Sequence, residues 1–195
     1  MLDTRARKYI QPQIEKLAKQ LLRWHCTPNQ ITVTAGVIGV VAAGFVVLSM
    51  PWVAFGLLWL SGLLDVVDGS MARLSQKASP IGTLLDILLD RVVEIAVLLA
   101  LIHRRPDTAV WVAVVLGAVV LSMTVFLTVA ALIENAGEKT FHYQAGLAER
   151  TEGFVMLSCC ILFGTLQHIF LIIFAAIIAW TAAQRFIQVV RWFKG

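Results

Sequence analysis

Residues Leu64–Arg91 read LDVVDGSMARLSQKASPIGTLLDILLDR, with four aspartates set into a largely apolar frame. Asp65 and Asp68 are three residues apart, and Asp86 and Asp90 are four apart. Each pair therefore shares one face of a helix. Ser79-Pro80 interrupts the pattern between the pairs, because the residue before a proline is pushed out of helical backbone. The connection from Arg73 to Gly82 is short. It predicts an antiparallel helix pair that brings four carboxylates together at one end.

The sequence around this stretch sets its solvent. The chain has 195 residues, 59% of them hydrophobic and 14% charged, with a mean hydropathy of +0.82. A soluble domain carries about 25% charged residues. No charged side chain occurs from Trp24 to Leu64, from Thr108 to Ile133, or from Gly153 to Gln184. A membrane span needs roughly 20 apolar residues. These runs, with the acid-bearing segment, predict an all-α integral membrane protein with six transmembrane helices, or five if the segment before Gln167 is too short to cross. The predicted starts are near Ile31, Val53, Ile81 and Thr108, with the fifth span reaching back towards Glu149. Residues 1–30 are expected to form a juxtamembrane segment, and residues 31–195 a single six-span catalytic membrane domain.

Net charge is +4 and the pI is about 9.2. The placement of the basic residues explains this without nucleic acid. Arg5, Arg7, Lys8, Lys16, Lys19 and Arg23 precede the first span, and Arg73, Lys77, Lys139, Arg150, Arg191 and Lys194 fall on the same side of a six-span chain. Only Arg104 and Arg105 fall opposite. By the positive-inside rule both termini are expected in the cytoplasm. The first 23 residues are too polar for a cleavable signal peptide. Cys26, Cys159 and Cys160 have no metal or redox spacing.

Residues 12–23 have a helical stripe of Ile14, Leu17, Ala18, Leu21 and Leu22, with Lys16, Lys19 and Arg23 largely off it. This reads as an amphipathic helix on an anionic lipid surface. Thr27-Pro28-Asn29-Gln30 carries a capping box with proline at the first helical position. Gly36, Gly39 and Gly44 in the first span allow close helix approach in lipid.

Carboxylates crowded near a bilayer interior are costly, and like charges cannot all stay ionised without compensation. Interhelical polar contacts can account for one such aspartate. They account poorly for four with glycines and an arginine interleaved. Asp65, Asp68, Asp86 and Asp90 are therefore candidate ligands for a divalent cation. An all-oxygen donor set favours a hard cation such as Mg²⁺, Mn²⁺ or Ca²⁺ over zinc, and Mg²⁺ or Mn²⁺ is the expected cofactor. Gly69, Ala72 and Gly82 leave room against the backbone, and Arg73 supplies an anion clamp. Two metals could grip a phosphoanhydride there, and the acid furthest from them could act as a general base.

The spacing D-x2-D-G-x2-A-R-x8-G-x3-D-x3-D, formed by Asp65, Asp68, Gly69, Ala72, Arg73, Gly82, Asp86 and Asp90, resembles the signature of the CDP-alcohol phosphotransferases. All eight positions match. Thr27-Pro28-Asn29 is similar to that family's entry motif. The resemblance implies six helices around a polar cavity open to the cytoplasm, a preceding surface helix and a homodimer. It also implies that a substituted phosphate moves from a CDP-linked alcohol, often CDP-diacylglycerol, to an acceptor hydroxyl in phospholipid synthesis, releasing CMP. In this reading Asp65, Asp68 and Asp86 hold the metals and Asp90 deprotonates the acceptor. Gly69, Ala72 and Gly82 pack near the cytidine, and Arg73 lies near the phosphates. Asn29, Thr32 and Arg150 join them as candidate substrate-binding residues. The expected site is a bacterial or archaeal-type cytoplasmic membrane.

Members of that family that use a phosphorylated acceptor tend to carry basic residues at the end of the fourth span. This chain has none in Thr128–Glu134. Arg150-Thr151-Glu152 resembles the family's R-x-E, with Gly153 where a further base usually follows. This favours an acceptor that is not a phosphate ester: a neutral polyol, an amino alcohol or another lipid. Phe141, His142 and Tyr143 read as loop packing at the interface. Arg185 in the last span reads equally as a functional group or as a side chain snorkelling to the interface.

Two other readings compete. A membrane prenyltransferase also grips a diphosphate with paired aspartate motifs and Mg²⁺, but it spaces them more widely. A divalent-cation transporter would be expected to show paired repeats and broken helices, and this sequence has neither.

Overall fold

The computed structural model describes residues 2–135 and 150–194. Among these, the regular structure is entirely helical. The order is α1 (Leu2–Arg23), α2 (Pro28–Val47), α3 (Pro51–Leu74), α4 (Pro80–Arg104), α5 (Ala109–Asn135), α6 (Arg150–Leu162) and α7 (Gln167–Lys194), with single 3₁₀ turns at Pro106–Thr108 and Gly164–Leu166.

Local sequence sets several boundaries. The box at α2 forms both of its bonds: Gln30 N–H donates to Thr27 Oγ1 at 3.3 Å, and Thr27 N–H to Gln30 Oε1 at 2.9 Å. Pro28 stands at the start of the helix. The α4 start repeats the logic, with Ser79 Oγ accepting from Gly82 N–H at 3.1 Å and Pro80 following. α1, α2 and α3 each end on a non-glycine residue in the left-handed region: His25 (φ 59), Ser49 (φ 58) and Gln76 (φ 54). After α3, Lys77 N–H reaches back to Ala72 O at 3.1 Å and Gln76 N–H to Arg73 O at 3.3 Å. This closes a Schellman motif.

Four helical segments are long and apolar enough to cross a membrane: Pro28–Val47, Pro51–Leu74, Pro106–Leu132 and Gly164–Trp192. α4 is long enough at 25 residues but carries Asp86, Asp90, Arg91 and Glu94. The described part of α6 has 13 residues, about 20 Å at 1.5 Å per residue. The outward surface is apolar, with Val37, Leu48, Val120, Leu121, Ile169 and Trp180 exposed.

α2 is the hub of the N-terminal half. Gly36 and Gly39 bring α4 against it. A Cβ at Gly39 would lie 2.5 Å from Val93 Cγ2, and one at Gly36 would lie 3.0 Å from Leu89 Cδ2. Ser61 Oγ of α3 donates to Ala35 O of α2 at 2.7 Å. The short α3–α4 connection led us to expect the two acid-bearing helices packed on each other. Instead they scarcely touch, and both pack on α2. The glycine face of α2 offers a closer seat than two facing rows of aspartates, and a gap is left between the acids.

α5 and α7 form the other packed pair, with α6 bridging α3 and α7. Phe154 of α6 presses on Gly62 of α3, where a Cβ would lie 2.7 Å from Phe154 Cε1. Trp59 Nε1 donates to Ser158 Oγ at 3.0 Å. α1 lays Ile14 and Ala18 on Ile31, Val67 and Met71 at the acid-bearing end, with Leu21 and Leu22 at the margin. Leu17, expected in the same stripe, is exposed.

Candidate active site

Asp65 and Asp68 project from the last turns of α3 and are both buried, at 8% and 6% exposure. Asp86, half-buried on the second turn of α4, comes from across the gap. One carboxylate oxygen from each of the three lies within 4.8 Å of the others. Three hard oxygen donors converging at this spacing suit a divalent cation of the Mg²⁺ or Mn²⁺ type, and two of them are buried, where bulk water solvates a charge poorly. The donor set therefore fits the ion that the sequence suggested.

Asp90 is outside that close group of three. It lines a cavity of about 330 Å³ together with Asp65. All six helices after α1 contribute to the wall: Thr32 from α2, Ser61 from α3, Glu94 from α4, Ser122 from α5, Gly153 from α6 and Arg185 from α7. The four aspartates thus form a three-oxygen cluster plus one acid at an adjoining cavity.

The other sequence candidates divide. Gly69 is open: among the described residues a Cβ there would meet only Arg73 Nη1 within 4 Å, at 3.6 Å. Arg73 is exposed, and its Nη2 donates to Ser70 Oγ at 3.0 Å. Ala72 is half-buried on the same turn. Gly82 is closed by Asn29, whose Oδ1 would lie 3.0 Å from a Cβ. Asn29 is thereby brought to the first turn of α4. Thr32 is 4% exposed at the cavity, and its hydroxyl donates to Pro28 O at 3.1 Å. The Arg150 side chain, Lys139 and Phe141–Tyr143 lie outside what the structure describes.

Sequence reasoning passed over Glu94, Ser122 and Phe126, and left Arg185 undecided. All four line the cavity. The Arg185 guanidinium carbon sits 5.4 Å from the centre of the Phe126 ring, a cation–π contact between α7 and α5. A fuller reading of the α4 pattern would have found Glu94, because Asp86, Asp90 and Glu94 recur every four residues.

At the far end of the bundle a separate polar cluster closes the fold. Arg104 Nη1 donates to Ile161 O at 3.0 Å, and Arg105 Nη1 donates to Gly164 O. Asp107 pairs with Arg105 at 2.7 Å and lies 3.2 Å from His168 Nε2. Gln167, fully buried, donates to Thr108 Oγ1 at 3.2 Å. These contacts tie the α4–α5 turn to the α6–α7 turn.

Comparison with known proteins agrees with this geometry. Residues 25–192 match the family described as CDP-alcohol phosphatidyltransferase. An archaetidylinositol phosphate synthase of Pyrococcus horikoshii is 27% identical over 193 residues, covering 93% of each chain. A bifunctional IPC transferase and DIPP synthase of Thermococcus kodakarensis is 32% identical over 119 residues, which is 60% of this chain. The alignment spans only 27% of that relative's length. In fold, the chain is similar to the phosphatidylinositol phosphate synthase of Mycobacterium tuberculosis crystallised with CDP-DAG bound, with a TM-score of 0.75 and 19% identity over 90% of this chain and 92% of that one. The same enzyme has also been crystallised with manganese and citrate (TM-score 0.72, 22% identity, 90% of this chain and 88% of that one). The motif spacing, the converging aspartates and a family match over nearly the whole chain lead to one conclusion: this protein belongs to the CDP-alcohol phosphatidyltransferase family.

Proposed function

We propose that the protein transfers a substituted phosphate from a CDP-linked lipid alcohol, CDP-diacylglycerol or a close analogue, to a polyol phosphate, releasing CMP in phospholipid synthesis. The observation that carries this reading is the convergence of Asp65, Asp68 and Asp86 within 4.8 Å beside a cavity that Asp90 lines.

Asp65, Asp68 and Asp86 would hold Mg²⁺ or Mn²⁺, as one ion or two. When bound, the metal supplies positive charge against the diphosphate and its transition state. The chain's own groups do the rest. Arg73, exposed beside the open backbone of Gly69, pairs with the phosphates at the mouth, while Ala72, Gly82 and Asn29 border the nucleotide. Asp90 takes the proton from the acceptor hydroxyl as its oxygen attacks the lipid-side phosphorus. The bond from that phosphorus to the CMP oxygen breaks, and CMP leaves with the electron pair.

The acceptor reading departs from the neutral alcohol expected from Thr128–Glu134. That expectation rested on the absence of bases in Thr128–Glu134 and on Gly153 after Arg150-Thr151-Glu152, and it left Arg185 out of account. Arg185 enters the cavity wall from α7 and offers a guanidinium to a phosphate. Arg150 at the start of α6 is a candidate second base. Relatives named as inositol phosphate lipid synthases favour the same choice.

The reading also includes six crossings, α2 to α7, with both termini and the aspartates on the cytoplasmic side. Residues 1–30 form the juxtamembrane segment, residues 31–195 form the catalytic domain, and two copies form a dimer. The test is an assay of purified protein with CDP-diacylglycerol, Mg²⁺ and a panel of acceptors. The reading predicts metal-dependent CMP release with polyol phosphates and little with unphosphorylated alcohols. Release only with unphosphorylated alcohols would restore the neutral acceptor, and no release with any of them would defeat the transferase reading.

A further inference from the structure

α4 carries a third acid at the same interval as the first two. Glu94 follows Asp90 by four residues, as Asp90 follows Asp86, so all three lie on one helix face. Glu94 is 9% exposed and lines the cavity. Its Oε2 accepts from Arg91 Nη1, whereas its Oε1 makes no hydrogen bond among the described residues. An ionisable side chain inside a membrane helix is costly and marks function by default. The chemistry of the four aspartates leaves Glu94 unused.

Ser122 of α5 lines the same cavity at 9% exposure, and its hydroxyl also makes no hydrogen bond among the described residues. Ser61 and Thr32 differ, because their hydroxyls already donate to Ala35 O and Pro28 O. Two polar groups in the wall therefore have hydrogen-bonding capacity to spare. A carboxylate oxygen only accepts, and a serine hydroxyl both donates and accepts. Arg91 balances the charge of Glu94, so the pair does not repel an anionic ligand. The complement of such a pair is an array of neutral hydroxyls, which can donate to Glu94 and exchange bonds with Ser122. Arg185, in the same cavity wall, complements a phosphate.

The geometry points to a hydroxyl-reading subsite. Glu94 and Ser122 hydrogen-bond the ring hydroxyls of a cyclic polyol phosphate whose phosphate is met by Arg185, and so set the choice among phosphorylated acceptors. This rests on the polyol phosphate reading above and goes further by naming the groups that recognise the polyol.

Binding, measured apart from turnover, tests it. The purified full chain in detergent micelles is titrated calorimetrically with myo-inositol 1-phosphate and, separately, with ethyl phosphate, which has the phosphate but no free hydroxyl. Wild-type protein should bind the inositol phosphate more tightly. Glu94→Gln should weaken inositol phosphate about tenfold, the scale of a hydrogen bond to a charged group, and leave ethyl phosphate unchanged. Ser122→Ala should weaken inositol phosphate about threefold with the same selectivity, and it decides the matter alone if Glu94→Gln does not fold. Equal losses for both ligands, no loss in the folded variants, or wild-type protein that fails to distinguish the two ligands would overturn the subsite. Because the readout is binding, failure of CMP release would defeat the transfer reaction and leave this result standing.

Discussion

Asp86 and Asp90 are one helical turn apart, yet the fold gives them different neighbours. Asp86 meets the two α3 acids and Asp90 meets the cavity. Substitutions in the three-acid cluster and at Asp90 should therefore fail differently. Asp90→Asn should abolish CMP release while leaving Mn²⁺ binding, followed by electron paramagnetic resonance, near the wild-type level. Asp68→Asn should weaken Mn²⁺ binding at least tenfold, since a buried carboxylate ligand loses its charge. Turnover retained in Asp90→Asn would remove it from the base role. Gly69→Ala is a third case. Among the described residues a methyl there meets only Arg73 Nη1, at ordinary contact distance, so thermal stability should hold while KM for the CDP-lipid rises several-fold. The aspartates were legible in the sequence because their spacing is chemically distinctive. Arg185 was not, because a lone arginine near a helix end reads the same whether it faces the bilayer interface or the cavity.

At the scale of elements, the helix starts were written in local chemistry. Thr27, Ser79 and the prolines after them define α2 and α4 wherever the rest of the chain goes. Which helix packs on which was not local. The seat of α4 on α2 depends on Gly36 and Gly39 meeting Leu89 and Val93, residues far apart in sequence. Gly39→Ala would place a methyl 2.5 Å from Val93 Cγ2, and overpacking of that kind costs about 1–3 kcal/mol. The variant should melt at a lower temperature in detergent and lose Mn²⁺ affinity as well, because α4 carries Asp86. An unchanged affinity would mean that α2 does not position the metal cluster. The turn after α3 offers the opposite test. Gln76 holds φ 54 without being glycine, so Gln76→Gly should stabilise the protein by about 0.5–1 kcal/mol in thermal unfolding.

For the molecule as a whole, composition alone declared lipid as the solvent, and the charge-free runs located most of the helices. The number of crossings was less legible. Four segments qualify by length and apolarity, while α4 gives up apolarity to carry the acids and the described α6 is short. The clasp of Arg104, Arg105, Asp107 and Gln167 was invisible in the sequence, because it joins two turns whose meeting depends on the whole bundle. Asp86 and Arg104 are eighteen residues apart on α4, about 27 Å along the axis. Arg104→Ala should therefore lower thermal stability by about 1–3 kcal/mol through the bare Ile161 carbonyl and leave KM for both substrates unchanged.

The central claim is that carboxylates from two helices share a divalent cation at the edge of the cavity. Anomalous diffraction from crystals of the wild-type protein grown with Mn²⁺ measures this directly. The account predicts a manganese peak bonded to oxygens of Asp65, Asp68 and Asp86 together, at about 2.0–2.6 Å as for hard cations on oxygen. A fully occupied manganese bound elsewhere, or no peak between α3 and α4 while the three side chains remain ordered, would contradict it.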